Sequence, residues 1–382
     1  MSEPLVQLTA KRERLADLTT GELASRLADH EDCSAAKGLR TAKKIFRHAF
    51  ANDVHGDVAW TAGSLSDAQI GRWAHPIVLP LSPRIALNVA EHAPSSDGTV
   101  RLLLRAPDSA LIESVIIPAD KGRNQPRTTL CLSSQVGCAR ACRFCETGVL
   151  GLQRQLSSSE IVDQFRVAQR ICGDSGRELN NLVFMGMGEP FDNLREVLRA
   201  LTVLTDQHGF AFPGSRITVS TVGVADRIAE FFAGTRAELA ISLNAPDDVR
   251  RSHLMPINER FDLATLIDAV RQHMPGNRRV LFQYALFAGV NDSLQDAALL
   301  AQLVSAVRCR VNIIPANPGP DPALVAPSTE QVDLFVEALA ERGVTTLVRR
   351  PRGRDIGGAC GQLAGAARRR VGNDAQTEAP CL

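Results

Sequence analysis

From residue 128 onward the sequence repeats one pattern, a short apolar run of strand character followed by a helical stretch. Strands are expected at 128–134, 181–187, 216–221, 238–244, 279–287 and 309–315. Helices are expected between them, near 158–171, 193–207, 225–233, 262–273 and 294–307. Strands that alternate with helices form right-handed βαβ units around a parallel sheet. The fold class is therefore α/β, and six such units suit an incomplete (βα)6 barrel. Ligands of such sheets gather beyond the carboxyl ends of the strands. A helix near 329–342 and a short seventh strand at 345–348 follow.

The first of those strand ends runs into Cys131-Leu-Ser-Ser-Gln-Val-Gly-Cys138-Ala-Arg-Ala-Cys142-Arg-Phe-Cys145. Cys138, Cys142 and Cys145 have the spacing C-x-x-x-C-x-x-C. Three thiolates closing on a short loop hold three corners of a [4Fe–4S] cubane. Ferredoxin runs and structural zinc sites use four ligands, so the missing fourth leaves one iron open. The bland alternative is three buried cysteines acting as small hydrophobes. Four of the nine cysteines within this one stretch argue against it. Nine are too few for a disulfide scaffold in 382 residues and fit a reducing cytosol. The start lacks a basic segment followed by an apolar run, and nowhere do eighteen apolar residues run together. A cytoplasmic chain without membrane contact is expected. Its formal net charge of +1 means that any nucleic-acid binding must come from local patches.

Residues 1–95 read as a small, mostly helical accessory domain. Thr20 is placed to cap a helix over 21–27, and a basic helix is expected at 36–49. Its Lys37, Arg40, Lys43, Lys44, Arg47 and His48 suit a solvated face or RNA contact equally. Pro80-Leu81-Ser82-Pro83 reads as a linker. The main domain spans 96–370 and opens with a hairpin, 99–105 and 111–117, turning at Ala106-Pro107-Asp108-Ser109. Glu113 interrupts the second strand on the face of Leu111, Val115 and Ile117, where periodicity alone favours a solvent-facing carboxylate. The tail 371–382 is expected to be disordered.

Each motif beyond the cysteine loop falls at a strand end. Met185-Gly-Met-Gly188-Glu189-Pro190 brings flexible backbone and a carboxylate that suits an ammonium group. Ser220 and Ser242-Leu243-Asn244 end the next two strands and could bond a ribose or a carboxylate. After the sixth strand comes Asn317, and near the end Cys360 lies among glycines in a loop able to carry its thiol into a site. The C-x-x-x-C-x-x-C spacing is the signature of the radical-SAM superfamily, whose free iron chelates S-adenosylmethionine. Cys131–Cys138, Met185–Pro190, Ile241-Ser-Leu-Asn-Ala-Pro246, Ile314-Pro-Ala-Asn317-Pro and Ala359-Cys-Gly-Gln-Leu-Ala-Gly365 together resemble the RlmN/Cfr-type radical-SAM RNA methyltransferases. The resemblance covers roughly residues 98 to 366.

That resemblance implies a radical-SAM barrel and methylation of an adenine ring carbon in ribosomal RNA, and in some members of a tRNA adenine. C2 is the expected carbon and C8 the alternative. A ring carbon of this kind is not a nucleophile, so the family first places the methyl group on a cysteine. By the same resemblance Cys360 is the methyl acceptor, and Cys138, Cys142 and Cys145 hold one [4Fe–4S] cluster whose electron generates a 5′-deoxyadenosyl radical. Cys131 resolves the protein–RNA adduct through a disulfide with Cys360, and Glu113 matches the proton acceptor. Gly188, Glu189, Ser220, Ser242, Leu243, Asn244 and Asn317 match the S-adenosylmethionine-binding positions. One departure stands out, because the family motif Ser-Leu-His ends here in Asn244, which hydrogen-bonds but carries no charge. A flavodoxin or ferredoxin system is the expected electron donor, and the chain is expected to be a monomer. Arg140, Arg143, Arg154, Arg349, Arg350, Arg352 and Arg354 are candidates for RNA phosphates. Two rivals stand beside this reading. A radical-SAM enzyme with a non-RNA substrate has no need of the Cys131 and Cys360 pair. A non-catalytic iron–sulfur or RNA-binding protein has no need of S-adenosylmethionine.

Overall fold

A computed structural model describes residues 14–31, 33–51, 61–81, 85–119 and 126–363. The expected tail 371–382 lies outside the described residues, as do Ser82 and Pro83 of the linker. The chain divides into two compact units, Met1–Ala86 with Arg199–Phe212, and Leu87–Leu198 with Pro213–Leu382.

The smaller unit is helical. Helix α1 (Thr20–Ala28) starts at a reciprocal cap, in which the Glu22 amide donates to the Thr19 hydroxyl at 3.2 Å and the Thr19 amide to the Glu22 carboxylate at 2.8 Å. Thr19 is the cap rather than the expected Thr20, because Glu22 stands three residues after it and completes the box. Helix α2 (Ala35–Phe46) packs tightly on α1, since a Cβ added at Gly38 would stand 2.7 Å from the Ala24 carbonyl oxygen. A π turn over Arg47–Ala51, α3 (Ala62–Asp67) and α4 (His75–Val78) follow. Leu15, Leu23, Leu27, Ile45, Phe46 and Leu65 fill the core. Arg40, Lys44 and Arg47 are exposed, while the Lys37 ammonium lies 4.6 Å from the centroid of the Trp73 ring.

The larger unit begins with an antiparallel meander, β1 (Asn88–Pro94), β2 (Val100–Arg105) and β3 (Leu111–Ala119), that pairs onto β4 (Arg127–Cys131). Next come a small β5 (Gln135–Gly137) and β6 (Leu152–Gln155) ladder, with α5 (Glu146–Val149) between its strands, and then α6 (Ser158–Asp174). The strand–helix repeat continues through β7 (Asn181–Phe184), α7 (Leu194–Thr205), β8 (Ile217–Thr221), α8 (Ile228–Gly234) and β9 (Glu238–Ser242). It ends with α9 (Asp248–Leu254), α10 (Leu263–His273), β10 (Val280–Leu286), α11 (Leu294–Val304), β11 (Cys309–Pro315), α12 (Thr329–Glu341) and β12 (Thr346–Val348). Among the described residues one ten-stranded sheet runs β1-β2-β3-β4-β7-β8-β9-β10-β11-β12, and every pairing from β4 to β12 is parallel. The order is open. Parallel strands covered on both faces are continuous apolar runs, as in Leu239, Ala240 and Ile241 of β9, which are wholly buried.

Two details depart from the sequence reading. Strand β1 falls inside the stretch expected to be helical, because its half-exposed residues show no clean alternation. Glu113 is not solvent-facing but wholly buried. Strand β3 lies between β2 and β4, and α6 covers its other face through a Ser114 hydroxyl bond to Gln164 at 2.8 Å. Among the described residues no helix is long and apolar enough to cross a membrane.

Candidate active site

The carboxyl ends of β4 and β7 to β11 open onto one cavity of about 170 Å³. Cys138, Cys142 and Cys145 line it together with Gly188, Glu189, Ser220, Ser242, Asn244, Asn317 and Cys360. Three other expected site residues stand outside this lining. Leu243 is wholly buried in the core, Cys131 is buried at the end of β4, and Glu113 is wholly buried on β3.

The cysteine loop is held at several points. A Cβ at Gly137 would stand 1.8 Å from the Gly151 carbonyl oxygen, and Gly137 has φ +79, so only glycine closes this crossing. The Cys138 amide donates to Gly151 O at 3.0 Å, the Arg143 amide to Leu254 O at 3.1 Å and the Glu146 amide to Gly361 O at 2.8 Å. Ala141 takes the left-handed φ of 50° that turns the chain between the first two cysteines. Burial pushes the Cys138 thiol up to about 12 and raises Cys142 and Cys145, with Cys142 pushed further by both neighbouring thiols. Such thiols release protons when a cation replaces them. Among the described residues no three His, Cys, Asp or Glu side chains converge on a single metal ion. A cubane joins each thiolate to a different iron and needs a wider cradle. The three sulfur donors on one short loop, with Glu189, Ser220 and Asn244 on the same cavity, fit that group.

The glycines of Met185–Pro190, two of which line the cavity, also allow close packing of the chain on itself. A Cβ at Gly186 would meet Leu132 O at 2.7 Å, and one at Gly188, where φ is +99, would meet the Gln135 Cβ at 2.5 Å. They let β7 press against the exit of β4. Glu189 then accepts from the Val222 amide at 2.8 Å and the Phe191 amide at 2.9 Å, and burial lifts its carboxyl to about 7. Asn244 has φ 57, a conformation Asn tolerates well, and its Oδ1 accepts the Ala285 amide at 2.8 Å. The side chain thus ties β9 to β10 as it lines the cavity. Gln283 is a site residue that the sequence reading missed. It accepts from the Ser220 hydroxyl at 3.0 Å, and its only signal was a polar residue inside an apolar strand.

Cys360 is half-buried on the cavity, where Asn317 Nδ2 donates to its carbonyl at 3.0 Å. Cys131 packs with Val115, Met187 and Leu363, the last only three residues beyond Cys360, and Met185 lies against this cluster. The Arg349 guanidinium touches the Met185 sulfur at 3.4 Å, and Cys360, then Cys131, raise its pKa. Burial pushes the Cys131 thiol to about 12, with Cys360 adding to the rise and Arg349 opposing it. The implied disulfide is not formed in this structure, where Cys131 and Cys360 are both free thiols. One is packed in an apolar cluster and the other faces the cavity. Glu113 shares a sheet face with Cys131 through Val115, its neighbour but one and the register partner of Cys131. Its carboxylate faces the Arg101 guanidinium at 3.6 Å.

Most of the arginines expected at RNA phosphates are already engaged. Arg140 pairs with Asp192, Arg143 with Asp321 at 2.6 Å, and Arg154 with Asp108 at 2.5 Å and Glu160 at 2.9 Å. Arg354 bonds Asn317 and Ala316 O, each at 2.8 Å, and Arg352 bonds Pro118 O at 3.0 Å. Arg350 is exposed.

Comparison with known proteins agrees with this architecture. Residues 132–301 match the Radical SAM superfamily. The chain is 56% identical over 359 residues to a probable RNA methyltransferase of Sorangium cellulosum, covering 91% of this chain and 89% of that protein. It is 41% identical over 324 residues to the dual-specificity RNA methyltransferase RlmN of Syntrophobacter fumaroxidans, covering 84% and 91%. The crystal structure of a radical SAM methyltransferase from Sphaerobacter thermophilus superposes with a TM-score of 0.80 at 37% identity, covering 92% of this chain and 98% of that one. With its cysteine loop and strand-end residues gathered on one cavity, the chain belongs to the RlmN family of radical SAM RNA methyltransferases.

Proposed function

We propose that the protein methylates C2 of an adenine in ribosomal RNA, and of an adenine in tRNA, by way of a methylated Cys360. The observation that carries this reading is the free Cys360 thiol on the same cavity as the three-cysteine loop, with a second free thiol, Cys131, packed against the segment that follows it. Cys138, Cys142 and Cys145 would hold the [4Fe–4S] cluster. When bound, the cluster supplies the single electron that starts radical chemistry on S-adenosylmethionine.

The remaining steps belong to the chain's own side chains. The Glu189 carboxylate pairs with the ammonium of S-adenosylmethionine. Gly188, Ser220, Ser242, Asn244 and Asn317 supply donors and acceptors for its ribose and carboxylate, while Leu243, buried between Ser242 and Asn244, fixes the backbone that carries them. Cys360 Sγ gives up its proton and bonds the methyl carbon as the sulfonium–methyl bond breaks, releasing S-adenosylhomocysteine. Once that carbon has given a hydrogen atom to a 5′-deoxyadenosyl radical from a second S-adenosylmethionine and joined the adenine ring, the adduct gives back the one electron supplied at the start and Glu113 accepts the proton the ring carbon loses, with Arg101 as counter-charge. Cys131 Sγ then gives up its proton and bonds Cys360 Sγ as the carbon–sulfur bond breaks; the electron pair leaves on carbon, which takes a proton to become the methyl group, and an external reductant restores both thiols. A flavodoxin or ferredoxin donor, a monomeric chain and a cytoplasmic location where RNA is at hand complete the proposal.

A pH dependence follows from Glu189. Only its ionised form pairs with an ammonium, and its carboxyl stands at about 7. Affinity for S-adenosylmethionine therefore weakens as pH falls below about 7, by up to ~tenfold per unit. Calorimetry on either side of that value measures it, and Glu189→Gln should weaken binding and flatten the profile. A wild-type affinity that does not change with pH contradicts the pairing.

The reading itself is tested by incubating reconstituted protein with unmethylated ribosomal RNA or tRNA, S-adenosylmethionine and a reductant, then analysing nucleosides by mass spectrometry. 2-Methyladenosine is expected in both. 8-Methyladenosine would assign the alternative carbon, and neither product would overturn the proposal.

A further inference from the structure

Arg251 is the largest of the wholly buried side chains, with 0% exposure. Its Nε donates to Leu243 O at 3.2 Å, and its Nη2 to Val222 O at 2.6 Å and Ser242 O at 3.3 Å. Its Nη1 donates to Asn258 Oδ1 at 2.7 Å and Phe261 O at 3.3 Å. Every acceptor is neutral. Asp248 on the same helix instead accepts the Leu263 amide at 2.8 Å, and among the described residues no carboxylate stands within ion-pair reach of Arg251. A buried cation left without a counter-ion is strongly disfavoured, so the fold keeps this one for an anion.

The surroundings identify that anion. Val222 and Ser242, whose carbonyls hold the guanidinium, line the cavity with the three cysteines. Helix α9, which carries Arg251, also takes the Arg143 amide of the cysteine loop on Leu254 O at 3.1 Å.

We propose that Arg251 is the buried counter-charge of the iron–sulfur cluster and makes the cluster easier to reduce. A cubane on three thiolates is anionic and gains a further negative charge on accepting an electron. A fixed cation behind the wall, in a medium of low dielectric, stabilises the reduced form more than the oxidised one. Arg251 touches no reacting atom and acts as a positioning and electrostatic residue. This inference rests on Cys138, Cys142 and Cys145 being the cluster ligands.

The test is a redox titration, followed by electron paramagnetic resonance, of the full chain reconstituted anaerobically with iron and sulfide. Iron and sulfide per chain are measured on the same samples. Arg251→Met should disfavour reduction by tenfold or more, a negative shift of about 59 mV or greater for one electron. Arg251→Lys keeps the charge and should stay closer to wild type. Should Arg251→Met fail to fold, Asn258→Asp decides, since it sets a carboxylate of the same shape against Nη1 and should also shift the potential negatively. Wild-type potentials in fully loaded Arg251→Met and Asn258→Asp proteins overturn the role of Arg251 and leave the ligand assignment standing. A wild-type chain that takes up no cluster overturns both.

Discussion

Cys142→Ala is expected to leave the purified chain without its iron–sulfur cluster and to reduce RNA methylation by more than about 100-fold. Outer partners of a metal ligand are already worth about 10–100-fold in affinity or activity, and loss of a ligand itself exceeds that. Cys142 is the best of the three cysteines for this test. It is buried, and its pKa is raised by burial and then by the Cys145 and Cys138 thiols, so its loss removes the centre of the donor set. Alanine in its place should be tolerated by the fold, because the loop is closed by backbone bonds from Cys138, Arg143 and Glu146. Iron analysis, the visible absorption of the cluster and a methylation assay on the same preparation measure the result. A variant that keeps its full iron and activity would remove Cys142 from the ligand set.

Cys131→Ala is expected to separate the two halves of the reaction. Its cavity wall is intact, so Cys360 still acquires a methyl group and still reacts with RNA. Release is lost, because no thiol remains in the Val115, Met187 and Leu363 cluster to bond the Cys360 sulfur. RNA covalently attached to the protein should therefore accumulate, visible as a shifted band on a denaturing gel and removed by nuclease. Free methylated RNA should fall below detection in multiple-turnover assays. Wild-type turnover by Cys131→Ala would show that the second thiol has no part in release.

Much of this was legible before the fold was known, and the reasons are physical. Buried parallel strands are continuous apolar runs, so β7 to β11 stand out between their helices, and the spacing of Cys138, Cys142 and Cys145 survives any error in strand boundaries. Residues that end those strands must meet at one rim, which is why Glu189, Ser220, Ser242, Asn244 and Asn317 came together on the cavity. What stayed hidden depends on tertiary partners. Arg250 and Arg251 are adjacent on one short helix, yet Arg250 pairs with Asp247 and Asp296, each at 2.5 Å, while Arg251 is wholly buried among carbonyls. Nothing in the local pattern distinguishes them. The arginines near the cysteine loop resembled a phosphate-binding patch because their carboxylate partners Asp192, Asp321 and Asp108 lie far away in sequence. Glu113 was misjudged by alternation alone, since a strand covered on both faces has no solvent side.

The most direct measurement is peptide mass spectrometry of Cys360 after anaerobic cluster reconstitution and incubation with S-adenosylmethionine, before any RNA is added. The account predicts one methyl group on Cys360, and none at that position in a Cys360→Ala control. A bare Cys360 in protein that still cleaves S-adenosylmethionine would contradict the methyl relay and leave a radical enzyme that reaches its product by another route.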